Sequence, residues 1–233
     1  MFLPREESGR APTKTRWDGR AVGSWAPHAV AAALALSAAT GLAGAAVNLR
    51  ATEGELVGLG GGRFATRSAK MRAIAEGSAG DAAELRFTYQ GPTAQDIDLA
   101  SGLARRQIGV KLRAADACNL VYVMWRLSPE SRIAVSVKSN PGMRTSRECG
   151  NRGYRILKPQ PRLADPAPGS EHVLRAEIQG GLLSVAVDGR QMGKWPLPGE
   201  AVAAAGPVGV RGDNARFTFS LRPGGGAAPP GRR

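Results

Sequence analysis

The chain has 233 residues, 42% of them apolar and only 5% aromatic, with 31 Gly and 16 Pro. That composition builds a packed core, so it excludes wholesale disorder, and it suits a turn-rich β-protein better than a helix bundle. Lys and Arg outnumber Asp and Glu by 32 to 19, leaving a formal charge of +13 that admits nucleic acid, anionic polysaccharide or an acidic membrane surface as partner classes. Of the basic residues, however, 26 are Arg and 6 are Lys, scattered with no run of four. That is the pattern of a compositional bias and a solvated basic surface. Two cysteines exclude a disulfide-scaffold miniprotein and a four-cysteine zinc site. Two histidines, His28 and His172, leave little for histidine-based catalysis or metal binding, and nothing implies a cofactor.

Residues 1–27 are polar and basic (Arg5, Arg10, Lys14, Arg16, Arg20). Ala29 to Val47 then carries no charge and ends in small residues, with Ala43-Gly44-Ala45 fitting a cleavage site. A basic leader, an apolar stretch and small residues predict an export signal. An uncleaved membrane anchor and a buried helix are the alternatives, and the Ala-rich stretch is weak for a permanent span. Export or anchoring would place the remainder in the periplasm, cell envelope or extracellular space. The expected organisation is a leader over 1–47, a domain over 48–222 and a low-complexity, disordered tail over 223–233.

Within the domain, Leu56 to Leu59 and Phe64 to Ile74 are candidates for the first strands, and Gly60-Gly61-Gly62 suggests a flexible joint. From Leu85 onward, apolar residues alternate with polar ones at period two. The runs are Leu85–Tyr89, Ile108–Leu112, Ile133–Val137, Leu174–Ile178, Leu183–Val187 and Phe217–Leu221. Leu120 to Leu127 (LVYVMWRL) is apolar on both faces and belongs in mid-sheet. Pro159 to Pro168 is a loop, Asp188-Gly189 a type I′ hairpin turn, and Gly206-Pro207 and Gly212-Asp213-Asn214 are further turns. Ala201 to Ala205 is the best helix candidate. Antiparallel strands so spaced close into a two-sheet sandwich. Cys118 and Cys149 sit beside predicted turns. An oxidising compartment favours a bridge between them, worth roughly 3 kcal/mol in the chain-entropy model, with two independent thiols as the alternative.

The stretch from His172 to Arg190 (HVLRAEIQGGLLSVAVDGR), then Gly206 to Asn214 (GPVGVRGDN) and Phe217 to Leu221 (FTFSL), resembles the closing strands of concanavalin A-like lectin/glucanase jelly rolls. The likeness is to the laminin-G-like and keto-disaccharide-hydrolase-like branches of exported bacterial proteins, and it covers roughly residues 85–222. It implies an all-β, two-sheet antiparallel jelly-roll sandwich behind an N-terminal signal or anchor helix, with a concave face that often carries carbohydrate. The family's glucanases cluster catalytic acids on one strand, in an E-x-D-x-x-E pattern that this chain lacks. Glu171 and Glu177 are too far apart to pair, and Asp96 with Asp98 fits a solvated loop better than a carboxylate pair or a calcium corner.

In the two-faced strand, Val121, Val123, Trp125 and Leu127 point to the core, while Tyr122, Met124 and Arg126 line the opposite face. A hairpin neighbour adds Ser136 and Lys138, with Asn140 at the turn and Tyr154 beginning the next segment. Rings beside fork-like donors suit a sugar, or an acidic sugar through Arg. The competing arrangement folds the 140–168 loop over this face and buries Tyr122 and Met124 as a second small core. Trp195 is expected to be a packing anchor, and Arg211-Gly212-Asp213 a chance tripeptide in a turn. The leading expectation is a non-catalytic, exported module that binds glycan or anionic polysaccharide or serves as an envelope interaction module. A polysaccharide hydrolase or lyase and a nucleic-acid or polyanion binder are the alternatives. Interleaved acids at Glu84, Glu177 and Asp188 argue against nucleic acid, and the membrane enters only through an uncleaved N-terminal segment.

Overall fold

On the second sheet the alternating runs become strands because one of their sides is buried and the other is wet. In Ala82–Pro92, for example, Ala83, Leu85, Phe87 and Tyr89 are buried while Arg86 and Gln90 face solvent. The computed structural model describes residues 47–224. In chain order its strands are β1 (Leu49–Glu53), β2 (Val57–Gly60), β3 (Arg63–Thr66), β4 (Lys70–Ala75), β5 (Ala82–Pro92), β6 (Arg106–Leu112), β7 (Leu120–Ser128), β8 (Arg132–Lys138), β9 (Tyr154–Leu157), β10 (Glu171–Gln179), β11 (Leu182–Val187), β12 (Arg190–Pro196), β13 (Gly209–Asp213) and β14 (Ala215–Pro223). Helix α1 (Ser146–Cys149) precedes β9, and α2 (Gly199–Ala203) follows β12. The leader, the export segment up to residue 46 and the tail beyond Gly224 lie outside the described residues.

Two antiparallel seven-stranded sheets make a jelly-roll sandwich. The first runs β1-β4-β13-β6-β7-β8-β9 and the second β12-β11-β10-β5-β14-β3-β2. Their inner faces share one apolar core. Phe87 of the second sheet meets Trp125 of the first edge-on, with ring centroids 5.7 Å apart, and meets Phe217 at 5.9 Å. Such edge contacts add about 0.5–1.5 kcal/mol to the burial of the rings. Val121, Val123, Trp125 and Leu127 all enter this core. Trp195 is fully buried and donates its Nε1–H to the Pro159 carbonyl at 2.9 Å, as a packing anchor does.

Three local expectations change. The Gly60-Gly61-Gly62 run is a tight turn between paired β2 and β3, with φ of 81°, 58° and 71°, a conformation that favours glycine. Arg211-Gly212-Asp213 is strand β13 rather than a turn, hydrogen-bonded to β4 on one side and β6 on the other. Asn214 alone, at φ 52°, carries the chain from β13 in one sheet to β14 in the other. Pro223, expected at the start of the tail, is the last residue of β14.

Candidate functional site

The outer face of the first sheet carries the polar alternation of β6, β7 and β8. Strand register aligns Lys111, Tyr122, Ser136 and Ile156 in one row. The next row holds Arg72, Arg211, Gly109, Met124 and Ala134. The third holds Asp213, Gln107, Arg126 and Arg132. Gly109 leaves room for Met124, whose Sδ would lie 2.9 Å from an added Cβ.

Two loops wall this face. The 139–153 loop is fastened by the Cys118–Cys149 disulfide, whose Cα atoms are 5.9 Å apart. Helix α1, at the end of that loop, has a capping box between Thr145 and Glu148. The Asn140 Nδ2–H group donates to the Cys118 and Arg152 carbonyls at 3.2 and 3.0 Å, and Lys138 Nζ donates to the Ala117 and Gly150 carbonyls at 3.2 and 2.9 Å. On the other side, buried Asn214 holds the loop after β5. Its Oδ1 accepts from the Ile97 amide at 3.0 Å, and its Nδ2 donates to the Ile97 and Arg105 carbonyls at 2.8 and 3.2 Å.

Between the loops lies a cavity of about 170 Å³, with Tyr122, Met124, Ser136, Tyr154 and Ile156 on one side and Ser101, Arg105, Arg126 and Arg211 among its polar groups. Asn151 reaches its edge. Larger depressions of about 400 and 540 Å³ are more open and lie elsewhere, the first on the second sheet beside the Glu84–Arg175 pair and the second among loops around Arg113. The less open site, with its uncompensated donors, is the stronger candidate.

Of the residues singled out in the sequence, the structure brings Tyr122, Arg126, Ser136 and Tyr154 to this cavity. Lys138 and Asn140 are buried and held by backbone carbonyls in the loop anchor. Tyr122 is only 5% exposed and forms a second small apolar cluster with Ala114, Leu120 and Met124, against which Tyr154 packs. The face is therefore partly filled, and Tyr122 is floor rather than open platform. Burial pushes the Tyr122 hydroxyl up to about 12. Its ring lies between the Arg211 guanidinium, 4.8 Å from the centroid, and the Tyr154 ring at 6.1 Å, with Lys138 over Tyr154 at 5.1 Å. Cations so placed on aromatic faces hold the rings in position.

Alternation did not single out Arg105, Gln107, Arg211, Asp213 or Asn151. Asp213 is fully buried, and Arg72 Nη2 pairs with its Oδ1 at 2.7 Å. Its Oδ2 accepts from Arg211 Nε at 2.8 Å and Gln107 Nε2 at 2.6 Å. Burial alone would raise the Asp213 carboxyl, but Arg211 and Arg72 overcome this and hold it below the usual carboxylate range. Arg105 and Arg126 have no ion-pair partner among the described residues. Burial, then the neighbouring Arg105, Arg132 and Arg211, lowers Arg126 to about 10, and burial with Arg211 and Arg132 lowers Arg105. Both remain cationic at neutral pH.

A second polar cluster lies at the end of β10. His172 Nε2 is 2.8 Å from Ser170 Oγ, and its Nδ1 is 2.8 Å from Asp188 Oδ2. The spacing is that of a hydrolytic triad, but Ser170 Oγ donates to the Ala167 carbonyl at 2.5 Å, and the Gly169 and Ser170 amides are already bonded to Tyr89 and Ala167. Those two amides are therefore not free to hold an oxyanion, and the trio fastens the loop entering β10. Asp96 pairs with Arg106 at 2.7 Å while Asp98 is exposed, and no cluster of three His, Cys, Asp or Glu suited to a metal occurs among the described residues.

No family model and no curated protein matches the chain. Among solved structures it is similar to the carbohydrate binding module CBM66 from Bacillus subtilis, at 13% identity over 76% of this chain and 94% of that one, with a TM-score of 0.55. Looser similarities include the galectin LEC-6 from Caenorhabditis elegans (14% identity, 69% and 96% coverage, TM-score 0.39) and sheep galectin-11 (8%, 66% and 95%, 0.39). At these identities the first likeness is one of fold alone: a jelly roll of two antiparallel sheets.

Proposed function

We propose that this chain is an exported, non-catalytic module that binds carbohydrate in the cavity on the outer face of the first sheet. The observation that carries this is the composition of the cavity. Tyr154, Ile156 and Met124 offer apolar surface for the C–H faces of a sugar, while Ser101, Ser136, Arg105 and Arg126 offer donors for its oxygens. The similarity to a solved structure described as a carbohydrate binding module supports the same reading at the level of fold. The disulfide is consistent with an oxidising compartment and so supports export. The lining holds no Asp or Glu, and glycoside hydrolysis ordinarily needs two carboxyls across a cleft, so this cavity favours binding over hydrolysis.

The test is a glycan array probed with the full oxidised chain and its Tyr154→Ala variant. Tyr154 is only partly buried and lies at the rim of the small cluster, so truncation leaves the core intact. Binding by the wild type, with at least a tenfold loss in the variant, is the expected result. Silence on the array, or binding that Tyr154→Ala leaves unchanged, would overturn the assignment.

A further inference from the structure

A buried or half-buried guanidinium ordinarily has an acidic partner, because taking the charge out of water is costly. Around this cavity the neighbouring acids are already engaged. Asp213 holds Arg72 and Arg211, Asp96 holds Arg106, and Glu130 holds Arg132 and Arg162. Arg105 and Arg126 are left over, and both line the cavity. The Arg126 Nε and Ser101 Oγ atoms are buried without a hydrogen-bond partner among the described residues. Two adjacent cations therefore stand in one half-open cavity, and no carboxylate lines it to compensate them.

Resting on the carbohydrate-binding reading above, we infer that the ligand is a sugar carrying an acidic substituent, a carboxylate or a sulfate, which sits between Arg105 and Arg126 while its ring lies toward Tyr154. A guanidinium fork grips a carboxylate or sulfate through parallel hydrogen bonds. Ser101 Oγ supplies a further donor to the same cavity. The cavity of about 170 Å³ is smaller than the 300–1,000 Å³ or so of drug-sized ligand sites, so it takes one ring or a chain end rather than a long polymer. The apolar wall distinguishes such a sugar from a bare inorganic anion. The small volume distinguishes it from nucleic acid, which needs an extended basic stripe.

Titration calorimetry on the full oxidised chain would use galacturonate oligomers, the same oligomers after carboxyl reduction, a sulfated galactose oligomer and inorganic sulfate, beside an array of neutral, uronate-containing, sialylated and sulfated glycans. The expected result is that acidic sugars bind and their reduced or unsulfated counterparts bind at least tenfold more weakly, with the carboxylate and sulfate probes showing which acid is preferred. Arg126→Gln and Arg105→Gln each lose at least tenfold. Arg126→Lys, which keeps the charge but not the fork, loses less than Arg126→Gln. Circular dichroism and a melting temperature no lower than that of the wild type confirm that the variants are folded. Neutral glycans binding as well as acidic ones, with the arginine variants unaffected, would overturn the inference and leave carbohydrate binding standing. Binding of inorganic sulfate without any saccharide, or no binding at all, would overturn both.

Discussion

The outer faces of the two sheets carry charge in opposite ways. On the second sheet, Glu84 of β5 lies directly across from Arg175 of β10 and pairs with it at 2.6 Å, while Arg86 pairs with Glu171 at 2.7 Å. These are cross-strand pairs on a wet surface, each worth a fraction of a kcal/mol. On the first sheet, loops cover much of the face, and one carboxylate, Asp213, serves two arginines while Lys111, Arg105 and Arg126 have no acidic partner within ion-pair distance among the described residues. The second face sets its closest charges in cross-strand pairs that water solvates. The first concentrates one sign in a desolvated place, an arrangement that costs stability and creates affinity for anions.

The largest break in this contrast comes from removing the one buried acid. Asp213→Asn leaves Arg211 without an acidic partner and Arg72 with only Glu53 at 3.8 Å, and a loss of about 3–5 kcal/mol is expected, read from the urea midpoint at pH 7. Because the folded carboxyl lies below its ordinary range, wild-type stability is present above that range and falls as pH drops through it, whereas the variant lacks this contribution. A triple replacement, Asp213→Leu with Arg72→Met and Arg211→Met, removes the charges together and is expected to recover most of the loss. A small effect of Asp213→Asn would mean that water reaches the network and that the face is not desolvated.

Lys111 tests the same desolvation with the opposite sign. It is 5% exposed, and burial, then Arg72 and Arg211, lowers it from 10.5 to about 8. The unfolded chain thus binds more protons than the folded chain between about pH 8 and 10.5, so stability rises with pH across that window, and the full cost is present below it. The shift corresponds to about 3 kcal/mol at pH 7. Lys111→Met keeps the length and drops the charge. It is expected to raise the melting temperature at pH 7 by about 2–4 °C per kcal/mol recovered, and to flatten the pH dependence between 8 and 9.5. Destabilisation by Lys111→Met would show that the ammonium has a favourable contact.

The sandwich and the β7–β8 hairpin were legible in the sequence because both depend on local alternation. A short connection pins Tyr122 opposite Ser136 and Leu120 opposite Lys138, so one strand's polar face predicts its neighbour's. The arginine cluster was not legible, since β13 inserts between β4 and β6 from roughly a hundred residues further along the chain, and no spacing announces that Arg211 and Asp213 will lie beside Gln107. Lys138 and Asn140 show the complementary limit. Alternation placed Lys138 on the correct face, but whether a polar side chain there is free depends on which carbonyls a distant loop brings to it, here those of Ala117, Cys118, Gly150 and Arg152.

The smallest expected effect comes from the second sheet, where the pairing of Glu84 with Arg175 is tested by a double-mutant cycle to alanine. Arg175 is 64% exposed, so solvent screens the pair and ordering its side chain offsets part of the attraction. A coupling below about 1 kcal/mol is expected, shrinking further in 0.5 M salt as the screening length falls below about 5 Å. Both single variants should bind any glycan recognised by the wild type with unchanged affinity. The depression beside this pair, lined by Glu84, Arg175, Glu177 and Arg222, is larger than the cavity on the first sheet, so size alone would nominate it as the site. Glu84 and Arg175 already satisfy one another there, and a ligand would have to displace that pair before gaining either group. Weakening of glycan binding by Glu84→Ala or Arg175→Ala to the extent expected for Arg126→Gln would reverse the assignment of the two faces.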